Sequence, residues 1–373
     1  MQKRSLHFTW LTFCLLLFGC QEHKPLKIGF LGSLTGRMAD VSHPARNGCL
    51  LAIEDINARG GIRGRKVELV IYDDKHDPDK GGEGVRYLHN EGAVAIVGAE
   101  TSQMAVSATP TANELKIPLI SPTSATTELT DLKDYFFRFY PSCDKNAHFL
   151  AEYAVKERGL KRVAVLFDNS NKSFTGPWTD HFLQRLKELS ANAVLTLDYE
   201  TLSQKESFLE LAKQIIAAKP DGLLILASAL DTALICQQLR KLEAGMTVMA
   251  SDWSYAGSLA EYGGKSVEGL IFTTGVNLQS TAPAYLNFQK TYVMRFGETA
   301  KFPAILAYEA TTYLLKALEQ VEDPELLSEQ LVKMGPSPGL QDGCQLNEFG
   351  DVIRSTYINE IRNGAFYNLT KYN

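Results

Sequence analysis

The sequence is short of the residue groupings that chemistry on a substrate requires. Six cysteines are spread through 373 residues with no C-x-x-C pair, which argues against a zinc site. His23, His43, His76, His89, His148 and His181 show no ligand spacing and read as surface or locally bonded histidines. No strand–turn–helix nucleophile elbow of the G-x-S-x-G kind is found. Gly264-Lys265-Ser266 ends like a phosphate loop, but Leu259 stands where the leading glycine belongs. No G-x-G-x-x-G follows the first strand. Positive charge is not in excess, since 38 Lys and Arg face 43 Asp and Glu for a net charge of -5. With no basic stripe either, nucleic acid is not an expected partner. No catalytic group, metal or cofactor is therefore expected. What remains is ordinary globular composition, 45% hydrophobic and 22% charged, with length for two domains.

The first residues are set apart from the rest. Lys3 and Arg4 precede an apolar run from Phe8 to Phe18, then Gly19-Cys20. A charged start, a short apolar core and a small residue before the cut read as a secretory signal. The run is short for a bilayer span, and no later one is long enough. Ending on Gly-Cys, it resembles a bacterial lipoprotein signal. That implies removal of residues 1–19, loss of Cys14 with them, and lipidation of Cys20. Gln21 after the cysteine implies the outer membrane. Residues 20–26 form a tether. Cys49 falls on one helical face with Ala45, Ala52 and Ile56 and reads as a buried thiol. Sequence does not pair Cys49, Cys143, Cys236 and Cys344.

Two apolar strands, Val94 to Val97 and Ile117 to Ile120, each end in small polar residues: Gly98 to Gln103, and Ser121 to Thr126. A third such tip, Gly32 to Gly36, follows the strand Lys27 to Leu31. In an open parallel sheet, ligands bind outside the carboxyl ends of the strands. These tips offer hydroxyls and close backbone N–H groups, a place to hold a small polar molecule rather than to transform it. Asp73-Asp74, at another strand end, reads as a turn pair.

Strands and helices alternate from Lys27 to Ile120 and again from Lys145 to Ala250, which implies parallel sheets covered on both faces. Helices are expected over Pro44 to Arg59, Asp79 to Asn90, Gln103 to Leu115 and, later, Pro283 to Phe296, Ala304 to Gln320 and Pro324 to Met334. Phe136 to Pro141 reads as a strand leaving the first sheet. A Pro/Gly-rich crossover (Gly335 to Gly339), a turn at Leu346 to Asp351 and a strand over Ile353 to Ile361 close the chain.

The most specific stretch is AIEDINARGGIRGRKVELV, residues 52–70, followed by Asp73-Asp74 and Asp77-Pro78. With Ile96-Val97-Gly98, Ile117 to Pro122, Glu128-Leu129-Thr130 and Phe349-Gly350-Asp351, it resembles the leucine/isoleucine/valine-binding family of periplasmic substrate-binding proteins over nearly all of the mature chain. That implies an α/β fold of two doubly wound parallel-sheet lobes joined by three crossovers, near Tyr140, Phe272 and Leu340. The expected division puts 27–140 and 273–340 in lobe 1, and 141–272 and 341–373 in lobe 2. A ligand lies between lobes that close over it.

In relatives that bind amino acids, lobe 1 grips the carboxylate and lobe 2 supplies an acid for the ammonium. Carried over by position, Ser102 offers a hydroxyl and N–H to the carboxylate. Thr123 offers its carbonyl to the ammonium, and Ala125, where relatives often have threonine, offers only its N–H. Asp252 matches the acid, Trp253 lines the pocket and Phe174 matches an aromatic lid. Each also has a plain structural reading: turn residues for Ser102 and Thr123, a cap before Tyr255 to Tyr262 for Asp252, core for Trp253. Val41 and Ser228 stand where relatives often place tyrosines, so the side-chain pocket is not carried over. The resemblance implies a monomeric, lipid-anchored, extracytoplasmic binding protein that passes a small ligand, an amino acid first of all, to an inner-membrane ABC permease. A ligand-sensing subunit on the same fold, or a binder of amides, urea-like compounds or aromatic acids, is the alternative.

Overall fold

The computed structural model describes residues 24–200, 207–255 and 259–372. The signal segment, Cys20 and most of the tether lie outside the described residues. The chain builds two α/β lobes, each around its own sheet.

The first sheet uses β1 (Leu26–Gly32), β2 (Val67–Asp73), β3 (Ala93–Gly98), β4 (Leu119–Ser121) and β5 (Phe136–Arg138) in the order β2-β1-β3-β4-β5, with every neighbour parallel. Its inner strands are near-continuous apolar runs because helices cover both faces. Those helices are α1 (Ala39–Ala58), α2 (Asp79–Asn90) and α3 (Ser102–Leu115). The turn from α1 to β2 depends on glycine. Gly61 has φ +73°, and a Cβ there would lie 2.0 Å from the Arg65 carbonyl oxygen.

The chain then crosses to the second lobe through α4 (Cys143–Glu152), which runs on into a π-helical turn at Tyr153–Glu157. There β6 (Arg162–Asp168), β7 (Asn192–Tyr199), β8 (Gly222–Leu226) and β9 (Thr247–Ala250) alternate with α5 (Lys172–Glu188), α6 (Phe208–Ala217), α7 (Ala229–Lys241) and the short α8 (Leu259–Gly263). β10 (Ile271–Thr274) adds to this sheet. The chain returns through α9 (Pro283–Phe296), α10 (Phe302–Gln320) and α11 (Leu327–Lys333). Here Ala307, Ala310, Leu314 and Leu318 of α10 share a core with Ile28, Phe30 and Val97 of the first sheet. After a small hairpin, β11 (Gln345–Leu346) with β12 (Val352–Ile353), it crosses a third time. β13 (Thr356–Arg362) and β14 (Ala365–Tyr372) complete the second sheet antiparallel, in the order β14-β13-β10-β9-β8-β6-β7.

Buried ion pairs tie the crossing segments. Arg138 at the end of β5 meets Asp351 at 2.7 Å and donates to the Thr126 carbonyl and the Thr130 hydroxyl, each at 2.6 Å. Arg354 pairs with Glu309 of α10, which also accepts the Leu340 N–H at 2.6 Å. Cys49, Cys143, Cys236 and Cys344 are free and buried.

Three differences from the sequence expectation have physical causes. Helix α1 begins at Ala39 rather than Pro44, because Ser42 Oγ accepts the Ser33 N–H at 3.0 Å and anchors an extra turn to the tip of β1. Phe136–Arg138 does not leave the first sheet but closes its edge beside β4. β14 was not expected. It is a half-exposed edge strand with no apolar run.

Candidate functional site

The carboxyl ends of both sheets face one another across a cleft. Lobe 1 contributes Glu100, Thr101 and Ser102 after β3, Thr123 after β4, and Val41 of α1. Lobe 2 contributes Asn171 and Phe174 after β6, and Asp252 and Trp253 after β9. Phe302 closes one side from the start of α10. Ser102, Thr123, Phe174, Asp252 and Trp253 therefore come together, as the sequence positions suggested. Ala125 is buried behind them, off the cavity wall.

The tips hold their shape through local hydrogen bonds. Gly98 has φ +129° where β3 passes close to β1, and a Cβ would lie 2.0 Å from the Leu31 carbonyl oxygen. Thr101 caps α3, its hydroxyl accepting the Met104 N–H at 3.3 Å. With the Met104 N–H taken by Thr101 and the Gln103 N–H by Asn171, the Ser102 N–H is the first-turn donor left for a ligand, at a helix N-terminus that favours a carboxylate. The Ala125 N–H donates to Ser102 Oγ at 3.2 Å, which leaves the Ser102 proton to point elsewhere. The Thr123 hydroxyl donates to the Glu100 carbonyl at 2.5 Å. Asp73 and Asp74 serve the loops beneath. Asp73 accepts from Leu34 N–H at 2.8 Å and Thr35 Oγ1 at 2.7 Å, and Asp74 from Ser33 Oγ at 2.5 Å.

Two buried carboxyl groups dominate the electrostatics, and none of the residues lining the cavity is basic. Burial pushes the Asp252 carboxyl up to about 7, offset in part by its own backbone N–H, Tyr140 and Asn146. Its Oδ1 has no hydrogen-bond partner among the described residues. Burial pushes Glu100 up to about 8, and its Oε1 is likewise without a partner. Phe174 and Trp253 meet edge to face with centroids 6.1 Å apart and wall the lobe 2 side. Glu100, Asn171 and Phe302 were not singled out from the sequence. The one available signal was a lone charged residue, Glu100, in an otherwise small and uncharged tip.

The lobes touch around the cleft. His76 Nε2 lies 3.0 Å from the Ser170 carbonyl, the Gln103 N–H donates to Asn171 Oδ1 at 3.1 Å, and Arg37 pairs with the buried Asp231. The cavity so enclosed measures about 30 Å³, against the roughly 10–15 Å³ one water needs. A larger space of about 180 Å³ lies at the mouth, between Arg37, His76, Ser170 and Ser228. The inner cavity of about 30 Å³ holds a water or two, so a larger solute needs its walls to move apart.

A sequence model described as "periplasmic binding protein" matches residues 25–365. The chain belongs to that family. Among curated relatives of this periplasmic binding protein, the Leu/Ile/Val-binding protein BraC3 of Rhizobium johnstonii is 28% identical over 261 residues, 69% of this chain and 70% of the relative. An amino acid binding protein of Pseudomonas aeruginosa is 28% identical over 343 residues, 89% and 88% of the two chains. The crystal structure of the leucine binding protein LivK of Thermotoga maritima superposes with a TM-score of 0.85 at 25% identity, covering 93% of this chain and 99% of that one. The two lobes and three crossovers are those of the type I periplasmic binding proteins.

One enzyme-like spacing deserves a correction. Gly335-Pro336-Ser337-Pro338-Gly339 does fit G-x-S-x-G. Ser337 is nonetheless no nucleophile elbow, because its backbone pairs with Cys344 in both directions at 2.8 Å, in the segment between α11 and β11.

Proposed function

We propose that this periplasmic binding protein is the extracytoplasmic solute-binding lipoprotein of an ABC importer. It holds a small polar ligand, an amino acid, between its lobes and hands it, unaltered, to an inner-membrane permease. One observation carries the reading: Asp252 is a buried carboxyl with an unpartnered oxygen at a cavity that no base lines. A buried charge without a partner is costly, and a ligand ammonium is the partner that fits. The opposite wall supplies donors for the ligand carboxylate, the Ser102 N–H at the start of α3 and the Ser102 hydroxyl. Ala125 orients that hydroxyl from behind. The Thr123 carbonyl gives the ammonium a second acceptor. Phe174 and Trp253 cover the ligand once the lobes meet. An aromatic acid would bring only negative charge to this pair of carboxyl groups, which disfavours that alternative.

The lobes divide at 27–140 with 275–353, and 141–274 with 354–372: the expected boundaries at 272/273 and 340/341 move because β10 joins the second sheet and Leu346 and Val352 of the β11–β12 hairpin pack in the first sheet's core. The protein acts as a monomer, held by lipid on Cys20 to the outer membrane, as Gln21 favours. A thermal-shift screen of amino acids identifies the ligand, since binding raises apparent stability by mass action. Asp252→Asn then weakens that ligand by about 2–5 kcal/mol in calorimetry; unchanged affinity would reject the ammonium role. Cys20→Ser moves the protein from the membrane to the soluble fraction, and continued sedimentation with membranes would reject the anchor.

A further inference from the structure

Glu100 is the feature of the cleft that amino-acid binding as described leaves unused. It is 3% exposed, lies on the cavity wall, and has no basic neighbour among the described residues lining the cavity. The Thr123 hydroxyl lies 2.5 Å from the Glu100 carbonyl and 3.1 Å from Glu100 Oε2, and its one proton is shared between those two acceptors. Burial, which raises the carboxyl's pKa, favours the neutral, protonated form. A neutral Glu100 adds no charge against a ligand carboxylate resting on Ser102 two residues away. Its Oε1 is then a carbonyl-like acceptor, buried and without a partner among the described residues.

We propose that Glu100 is a specificity residue whose Oε1 accepts a hydrogen bond from a nitrogen in the ligand's side chain. The cargo is then an amino acid with an amide or cationic side chain rather than a hydrocarbon one. This rests on the amino-acid reading above and narrows it. A site built to hydrogen-bond an N–H rejects an analogue that lacks it, because its own buried group is left unpaired. A leucine side chain would leave Oε1 dry and unsatisfied.

Calorimetry on the full chain in detergent, with L-glutamine, L-ornithine and L-leucine as probes, tests it. The wild-type protein is expected to bind glutamine or ornithine at least about tenfold tighter than leucine. Glu100→Leu abolishes that preference while leucine still binds. Glu100→Gln, whose amide copies the neutral acid, keeps it. A wild-type preference for leucine, or binding of none of the three, overturns the proposal even if Glu100→Leu does not fold. So does a preference that survives Glu100→Leu, or one lost in Glu100→Gln. Asp252→Asn separates the two readings. Undiminished binding in that variant removes the amino-acid reading itself. Loss there with an unchanged preference in Glu100→Leu removes only the role of Glu100.

Discussion

At the scale of single residues, the cleft trades stability for recognition. Asp252 sits near 7 in the folded protein against an ordinary 3.8, with burial as the chief cause. Its folded pKa is raised, so the fold keeps the proton that the unfolded chain loses. Stability from this group is full below about pH 4 and declines as pH rises towards 7. Binding runs the other way, because a ligand ammonium pairs with the ionised form. Affinity should therefore rise by about tenfold per pH unit between pH 5 and 7 and level off above, while Asp252→Asn stays flat over that range. Titration calorimetry across pH 5 to 8 checks both profiles. Asp252 was legible because it follows a strand end in a recognisable position. Glu100 was not, since nothing local says that a glutamate between Gly98 and Ser102 turns inward. Asn171 and Phe302 reach the cleft from elements remote in sequence, which only the assembled fold brings near.

At the scale of elements, α1 and α10 approach each other closely. A Cβ on Gly48 would lie 2.3 Å from the Ala304 carbonyl oxygen, backbone against backbone. Gly48→Ala forces the two helices apart and should cost about 1–3 kcal/mol in urea denaturation. Ligand affinity should fall by less than stability, because these helices bring only Val41 and Phe302 to the cleft while its polar groups sit on other elements. Glycine in a helix is usually unfavourable, so its presence here marks packing, not a break. Most elements could be read from the chain because buried parallel strands are apolar runs and the covering helices carry one apolar face. Glycine stops such as Gly60-Gly61 marked their ends. The failures fall where tertiary contact decides. The extra turn of α1 needs the tip of β1. β14 is a partly exposed edge strand that exists because β13 gives it a partner.

At the scale of the molecule, the first and third crossing segments are anchored by Arg138 with Asp351 and Arg354 with Glu309, so the lobes have fixed points about which to swing. Across the mouth, Arg37 of lobe 1 clasps the fully buried Asp231 of lobe 2. That pair forms only when the lobes meet, so it favours closure before and after binding alike. Arg37→Ala should shift the ligand-free protein towards open forms, read as a larger radius of gyration in small-angle X-ray scattering. It should also weaken the ligand by about tenfold, less so in high salt, as suits a half-exposed arginine. An unchanged scattering profile would show that the clasp does not bias the lobes. The four sequestered cysteines have a practical corollary. Burial raises their thiols, Cys236 to about 12 and Cys344 to about 11, so almost none is thiolate near neutrality. In a chain cut back to residue 24, a maleimide dye would react only where a cysteine is deliberately introduced. Lys172→Cys, on the exposed start of α5 beside the rim, would make fluorescence follow the swing of the jaws and turn the scaffold into an optical reporter of its own cargo.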